Sequence, residues 1–187
     1  MLKTLTDLHD FIKADEKLFY SKRKKGLNMI RHHIHTSPIS DDKYIWNYIE
    51  TLRYCEYHIN NDGFLHKFFR IYYLWKLRKM SIITGFQIPP NTIDKGLTIY
   101  HWGPIIINSK TRIGKNCILN PMVVIGHKSP GEPAPRIGNN VFIGAGAKII
   151  GDITIGDNVI IGQNVVVNKS VKSDSIVVVE QPRHIIK

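Results

Sequence analysis

Two hydrophobic rhythms divide this chain of 187 residues. As far as about residue 84, apolar side chains recur at steps of three and four. Over residues 4–20 they are Leu5, Leu8, Phe11, Ile12, Leu18 and Phe19, and over 41–59 they are Ile45, Tyr48, Ile49, Leu52, Cys55 and Ile59. Such steps return to one side of a helical turn and predict amphipathic helices. Ser40 and Asp41, after Pro38, supply N-cap oxygens for the second helix, and Asn60-Asn61-Asp62-Gly63 reads as a turn. A third helix is predicted over 64–80, with aromatic and basic residues around most of its circumference. This pattern predicts burial against neighbouring helices or a partner subunit, with an interfacial membrane helix as the alternative.

From about residue 85 the period becomes six. Ile107, Ile113, Leu119, Ile125, Ile137, Ile143, Ile149, Ile155, Ile161 and Val167 keep one register, and Gly directly follows six of the ten. Four residues after most of them stands a second, small or apolar inward candidate: Cys117, Val123, Val141, Ala147, Ile153, Val159, Val165 or Val171. No helix has a period of six. A parallel β-helix does, with one short strand and one tight corner per hexad, the corner held by Gly or Asn where φ is positive. The expected fold class is therefore mainly β, a parallel β-helix over 85–187 behind an α-helical region over 1–84. Between Ile125 and Ile137 the residues Gly126–Arg136 contain three prolines and three charged side chains, so a loop over 126–136 is expected in place of two hexads. A C-terminal tail is expected from about residue 173.

Charge and composition narrow the picture only slightly. The formal net charge of +11 suits anionic partners, and basic residues are spread along the chain apart from the run Lys22–Lys25. No stretch lacking Asp, Glu, Lys and Arg exceeds 14 residues, and the first twenty residues hold no apolar signal core, so a cytoplasmic location is expected. Cys55 and Cys117 make no disulfide framework and are read as packed thiols.

The stretch Gly96–Asn108, Gly-Leu-Thr-Ile-Tyr-His-Trp-Gly-Pro-Ile-Ile-Ile-Asn, places a single His101 in an uncharged, β-branched setting. Together with Ile143-Gly144-Ala145-Gly146-Ala147-Lys148-Ile149-Ile150-Gly151 and the hexads, it resembles the hexapeptide-repeat acyltransferases. The resemblance covers residues 85–187 and points to the serine acetyltransferase-like branch, with the capsular and exopolysaccharide (colanic-acid-type) O-acetyltransferases nearest in pattern. It implies a left-handed coil, a homotrimer with sites between subunits, acetyl-CoA as donor, no metal, and His101 as general base. It also implies Ala145, Gln163, Asn168, Lys169 and Arg183 as residues along the CoA track.

Transfer from a thioester to a hydroxyl needs a base of near-neutral pKa, which histidine provides. His127, in the loop, is the rival base or a substrate contact. Relative to serine acetyltransferases, Gln87 and Tyr100 stand where two aspartates are usual, and Ala134 stands at the loop histidine. Gln87, Tyr100, Trp102 and Glu132 are accordingly candidates for orienting the base or holding the acceptor. These replacements lead to an expected sugar acceptor in polysaccharide biosynthesis, with Trp102 stacking on the ring. Serine O-acetylation is the alternative, and a non-catalytic β-helix module or a three-histidine metal site are readings of other classes. Expected partners are the small-molecule or glycan acceptor and further copies of the chain, not nucleic acid. The helical region leaves open a dimer of trimers and, without indicating it, association with a membrane.

Overall fold

The computed structural model describes residues 2–23 and 41–179. Three helices come first: α1 (Leu5–Arg23), α2 (Asp42–Ile59) and α3 (Phe64–Thr84). Thirteen strands of two or three residues follow in three sheets. One sheet, the A face, holds β1 (Phe86–Gln87), β3 (Ile105–Ile107), β6 (Val124–Gly126), β9 (Lys148–Ile150) and β12 (Val166–Val167). The B face holds β4 (Arg112–Ile113), β7 (Arg136–Ile137) and β10 (Thr154–Ile155). The C face holds β2 (Thr98–Ile99), β5 (Ile118–Leu119), β8 (Phe142–Ile143), β11 (Ile160–Ile161) and β13 (Ile176–Val177). Every pairing is parallel, and strands adjacent in sequence lie on different faces from β2 to β12. The chain thus winds around a three-sided prism.

The six-residue rhythm is the repeat of one face and one corner. Ile99, Leu119, Ile143 and Ile161 point inward from the C face, and Ile107, Ile125, Ile149 and Val167 from the A face, all buried. The smaller set, Cys117, Val123, Val141, Ala147, Ile153, Val159 and Val165, fills the corners of the same core. At the corner between the B and C faces, Asn116, Asn140, Asn158 and Asp174 all have positive φ. Each Asn donates its amide to the next residue up the prism, at 3.1, 3.0 and 2.8 Å. Asn tolerates this backbone region, and the stacked side chains give its polar groups partners.

Outward-facing residues differ by face. The B face shows Arg112, Arg136 and Thr154, the A face a mixture of Gln87, Ile106, Val124, Lys148 and Val166, and the C face Ile118, Phe142, Ile160 and Ile176. The coil reaches past residue 173, because β13 pairs with β11.

The loop over 126–136 is not a gap of two hexads. β6 lies on the A face and β7 on the next face, B, so the coil continues directly and the extra residues all leave at one corner. A proline-rich insertion needs no strand partners when it projects from a corner.

Helices α1 and α2 are bolted to the first coil through a buried arginine. Arg53 on α2 donates from Nε to Asp15 Oδ2 at 2.7 Å, from Nη1 to Glu56 Oε2 at 2.9 Å, and to the carbonyls of Ile93 and Asp94 at 2.8 and 2.9 Å. Asp15 on α1 in turn accepts the amides of Gly96 and Leu97 at 2.6 and 2.8 Å. All three ionisable side chains are essentially inaccessible. Burial pushes the Glu56 carboxyl up despite the opposing Arg53 guanidinium, while Asp15 and Glu56 hold the guanidinium firmly charged against its own burial.

Candidate active site

His101 sits at the corner between the C and A faces, and that corner is wider than the later C–A corners above it. Ile99 pairs with Leu119, twenty positions on, while Ile107 pairs with Ile125, eighteen on. The two additional residues fall between Ile99 and Ile107, where a regular hexad would need none. His101 is therefore not in phase with the inward positions and does not enter the core. Its side chain is 74% exposed. Gly103, with φ 131, lets the widened corner turn back, and its N–H donates to Thr84 O at 2.9 Å.

A carboxylate meets the imidazole from an unexpected direction. Asp41, beside the start of α2, places Oδ2 3.6 Å from His101 Nδ1, within ion-pair reach and beyond a direct hydrogen bond. The same Oδ2 accepts the backbone N–H of Trp102 at 2.8 Å. Asp41 was expected to cap α2, but it makes no side-chain cap bond there and has helical φ and ψ. Its carboxylate is committed to the coil instead. Tyr44, one turn into α2, packs on the Trp102 ring with centroids 5.7 Å apart. The helical region thus supplies the group that the coil sequence lacks. Ser40 lies outside the described residues.

The other expected site residues fall into two groups. Ala145 follows β8 and Gln163 follows β11, at the same C–A corner as His101 but one coil apart from each other. With about 4.8 Å per coil, Gln163 lies roughly 14 Å along this edge from His101. Gln163 is exposed and Ala145 half-buried, between buried Gly144 and Gly146. A Cβ on Gly144 would come within 2.7 Å of the Gly162 carbonyl carbon, so the coils touch closely here. Tyr100 is half-buried on this edge and its N–H donates to Leu119 O at 3.3 Å.

His127 follows β6, and Asn168 and Lys169 follow β12, so these three share the opposite edge, between the A and B faces. His127 is half-buried, its Nδ1 2.9 Å from Asn108 Nδ2. With the amide as donor, Nδ1 is the acceptor and the ring proton sits on Nε2. Asn168 and Lys169 are exposed. Within one chain the A face separates this group from His101. Gln87 is exposed on β1 of the A face, and no hydrogen bond or ion pair joins it to His101. Glu132 accepts the Ser129 N–H at 3.3 Å and serves its own loop rather than the base. Arg183 lies outside the described residues. Among the described residues, no group of three His, Cys, Asp or Glu is placed to hold a metal ion. Burial pushes the Cys55 and Cys117 thiols up to about 12 and about 11, which leaves both inert as nucleophiles.

Residues 134–169 match the family described as bacterial transferase hexapeptide (six repeats). Over 107 residues the chain is 45% identical to a serine acetyltransferase of Staphylococcus xylosus, covering 56% of this chain and 49% of that protein. Over 100 residues it is 38% identical to a serine acetyltransferase of Synechococcus elongatus, covering 52% and 41%. Over these residues it is similar to the serine acetyltransferases. The chain spans about half the length of the curated relatives it matches. The likeness extends to the helices: serine acetyltransferase isoform 3 of Entamoeba histolytica, solved with cysteine, superposes on 96% of this chain and 61% of its own, with TM-score 0.74 and 27% identity. The Neisseria gonorrhoeae enzyme, solved with serine, shares the fold at TM-score 0.67 and 24% identity over 95% of this chain and 69% of its own.

These relatives overturn the expected sugar acceptor and its place in polysaccharide biosynthesis, since the relatives and solved neighbours are serine acetyltransferases. The expectation rested on the loop position held by Ala134, which is buried, as well as on the aspartates missing from the coil. A carboxylate absent from one sequence position can arrive in space from another, as Asp41 does at His101.

Proposed function

We propose that this protein is an O-acetyltransferase that moves the acetyl group of acetyl-CoA to the hydroxyl of L-serine. The observation that carries the reading is His101, held out on a widened corner with Asp41 beside its Nδ1. With Asp41 facing Nδ1, Nε2 is the free nitrogen that takes the serine proton as the hydroxyl oxygen attacks the thioester carbonyl. The new ester C–O bond forms, the C–S bond breaks, and the imidazolium returns its proton to the departing thiolate, releasing CoA. Asp41 keeps the ring oriented and balances the transient positive charge.

The coil is left-handed in this reading, and its edge from His101 past Ala145 to Gln163 is the track for the pantetheine arm. Asn168 and Lys169 serve the same donor from a neighbouring copy, because they lie on the opposite edge of their own prism. The apolar outward residues of the C face, Ile118, Phe142, Ile160 and Ile176, suit burial between copies in a homotrimer.

The test is turnover. Purified full-length chain is given acetyl-CoA with L-serine, and released CoA thiol and O-acetylserine are measured. Activity on serine is expected, and His101→Ala and His101→Asn are expected to lower kcat by about 10²–10⁴-fold with unchanged circular dichroism. Absence of serine turnover, or full activity without His101, overturns the assignment.

A further inference from the structure

Helix α3 carries an apolar face that no other described residue covers. Phe64, Phe68, Ile71, Tyr72, Trp75 and Ile82 fall within about 100° of its circumference. Phe64 is 85% exposed, Ile82 78% and Ile71 70%. The opposite side meets the protein, where Leu77 is buried and Tyr73 and Met80 pack on the core. One side of α3 is thus buried against its neighbours, and the other faces outward.

Charge decides what covers the other side. α3 has five cations, Lys67, Arg70, Lys76, Arg78 and Lys79, and no acidic residue. Lys67 and Arg78 border the apolar stripe on one flank and Lys76 on the other. Lys79 emerges within it, its Nζ 4.3 Å from the Trp75 ring centroid. Aromatic and aliphatic groups in the centre with cations at the rim match the boundary between acyl chains and phosphate headgroups, where long basic side chains reach the phosphates. A second copy fits poorly: a two-fold contact of α3 on α3 would set five cations against five with no counter-charge. No described helix is long and apolar enough to cross a membrane, so α3 would lie in the plane of the surface.

We propose that α3 docks this protein on an anionic phospholipid surface, its apolar stripe inserted among the acyl chains and its flanking cations on the headgroup phosphates. The proposal is independent of the reaction at His101.

The full chain is mixed with vesicles of phosphatidylcholine alone or with phosphatidylglycerol added, and bound protein is measured by flotation. Binding is expected on the anionic vesicles only, with a blue shift of tryptophan emission that Trp75→Phe removes, and with release by salt. Lys67→Gln/Arg78→Gln/Lys79→Gln should weaken partitioning on the order of a hundredfold. Phe68→Ser/Trp75→Ser should abolish it while circular dichroism stays unchanged, since both rings are exposed. Three results overturn the proposal: no wild-type binding to anionic vesicles; binding indifferent to these substitutions; or no vesicle binding together with a lower mass by light scattering in Phe68→Ser/Trp75→Ser, which would make the face a contact between copies.

Discussion

At the scale of single residues, the pairing of His101 with Asp41 is the arrangement that most repays testing. One Asp41 oxygen holds the Trp102 amide at 2.8 Å and faces His101 Nδ1 at 3.6 Å. In the proposed reaction Asp41 is a positioning residue acting through the imidazole. Asp41→Asn keeps the shape and can still accept the Trp102 N–H, but it loses the charge that steadies the imidazolium. A fall in kcat of about 10- to 100-fold with little change in KM for serine is expected, read by steady-state kinetics. In the His101→Ala background the same substitution should cost nothing further, since its effect runs through the ring. A raised KM for serine with kcat intact would instead place Asp41 on the acceptor.

Elements explain what could be read in advance. The hexad register located the coil because inward Ile and Val must recur at every face, and nearly every such position is buried. His101 stands out in the sequence through the motif around it. Its partner does not, because Asp41 stands sixty positions earlier and has the chemistry of a helix cap, a local role that proximity in sequence favours. The widened corner was hidden for a related reason. Stepping back six from Ile107 lands on His101, whereas the paired strand places the inward residue at Ile99. Sequence alone does not reveal strand pairing.

Arg53 was equally hidden, since a charged residue on a helix reads as surface until a coil segment offers it carbonyls. Its network predicts a large element-scale effect. Arg53→Met leaves Glu56 and Asp15 buried without their cation and unties α2 from Ile93 and Asp94. A loss of about 3–5 kcal/mol is expected, seen as a lower urea midpoint. Glu56→Gln in the same background should recover part of it by removing one stranded charge.

At the scale of the whole molecule, the prism divides the candidate residues between two edges. His101, Ala145 and Gln163 share one, and His127, Asn168 and Lys169 share the other, with the A face between them. A donor that touches both groups must bridge two copies. This has a consequence that a site within one chain cannot imitate. His101→Ala lacks the base, and Asn168→Ala/Lys169→Ala, assayed at acetyl-CoA well below its raised KM, lacks the donor contacts. Unfolded together and refolded as an equal mixture, the two defective chains should form some clefts with an intact His101 edge from one and an intact Lys169 edge from the other. Random assembly gives about one such cleft in four. The mixture should therefore recover close to a quarter of wild-type activity under those conditions, measured by CoA release. If it recovers none while both variants still assemble, each site is built from a single chain, and the two edges do not meet across copies.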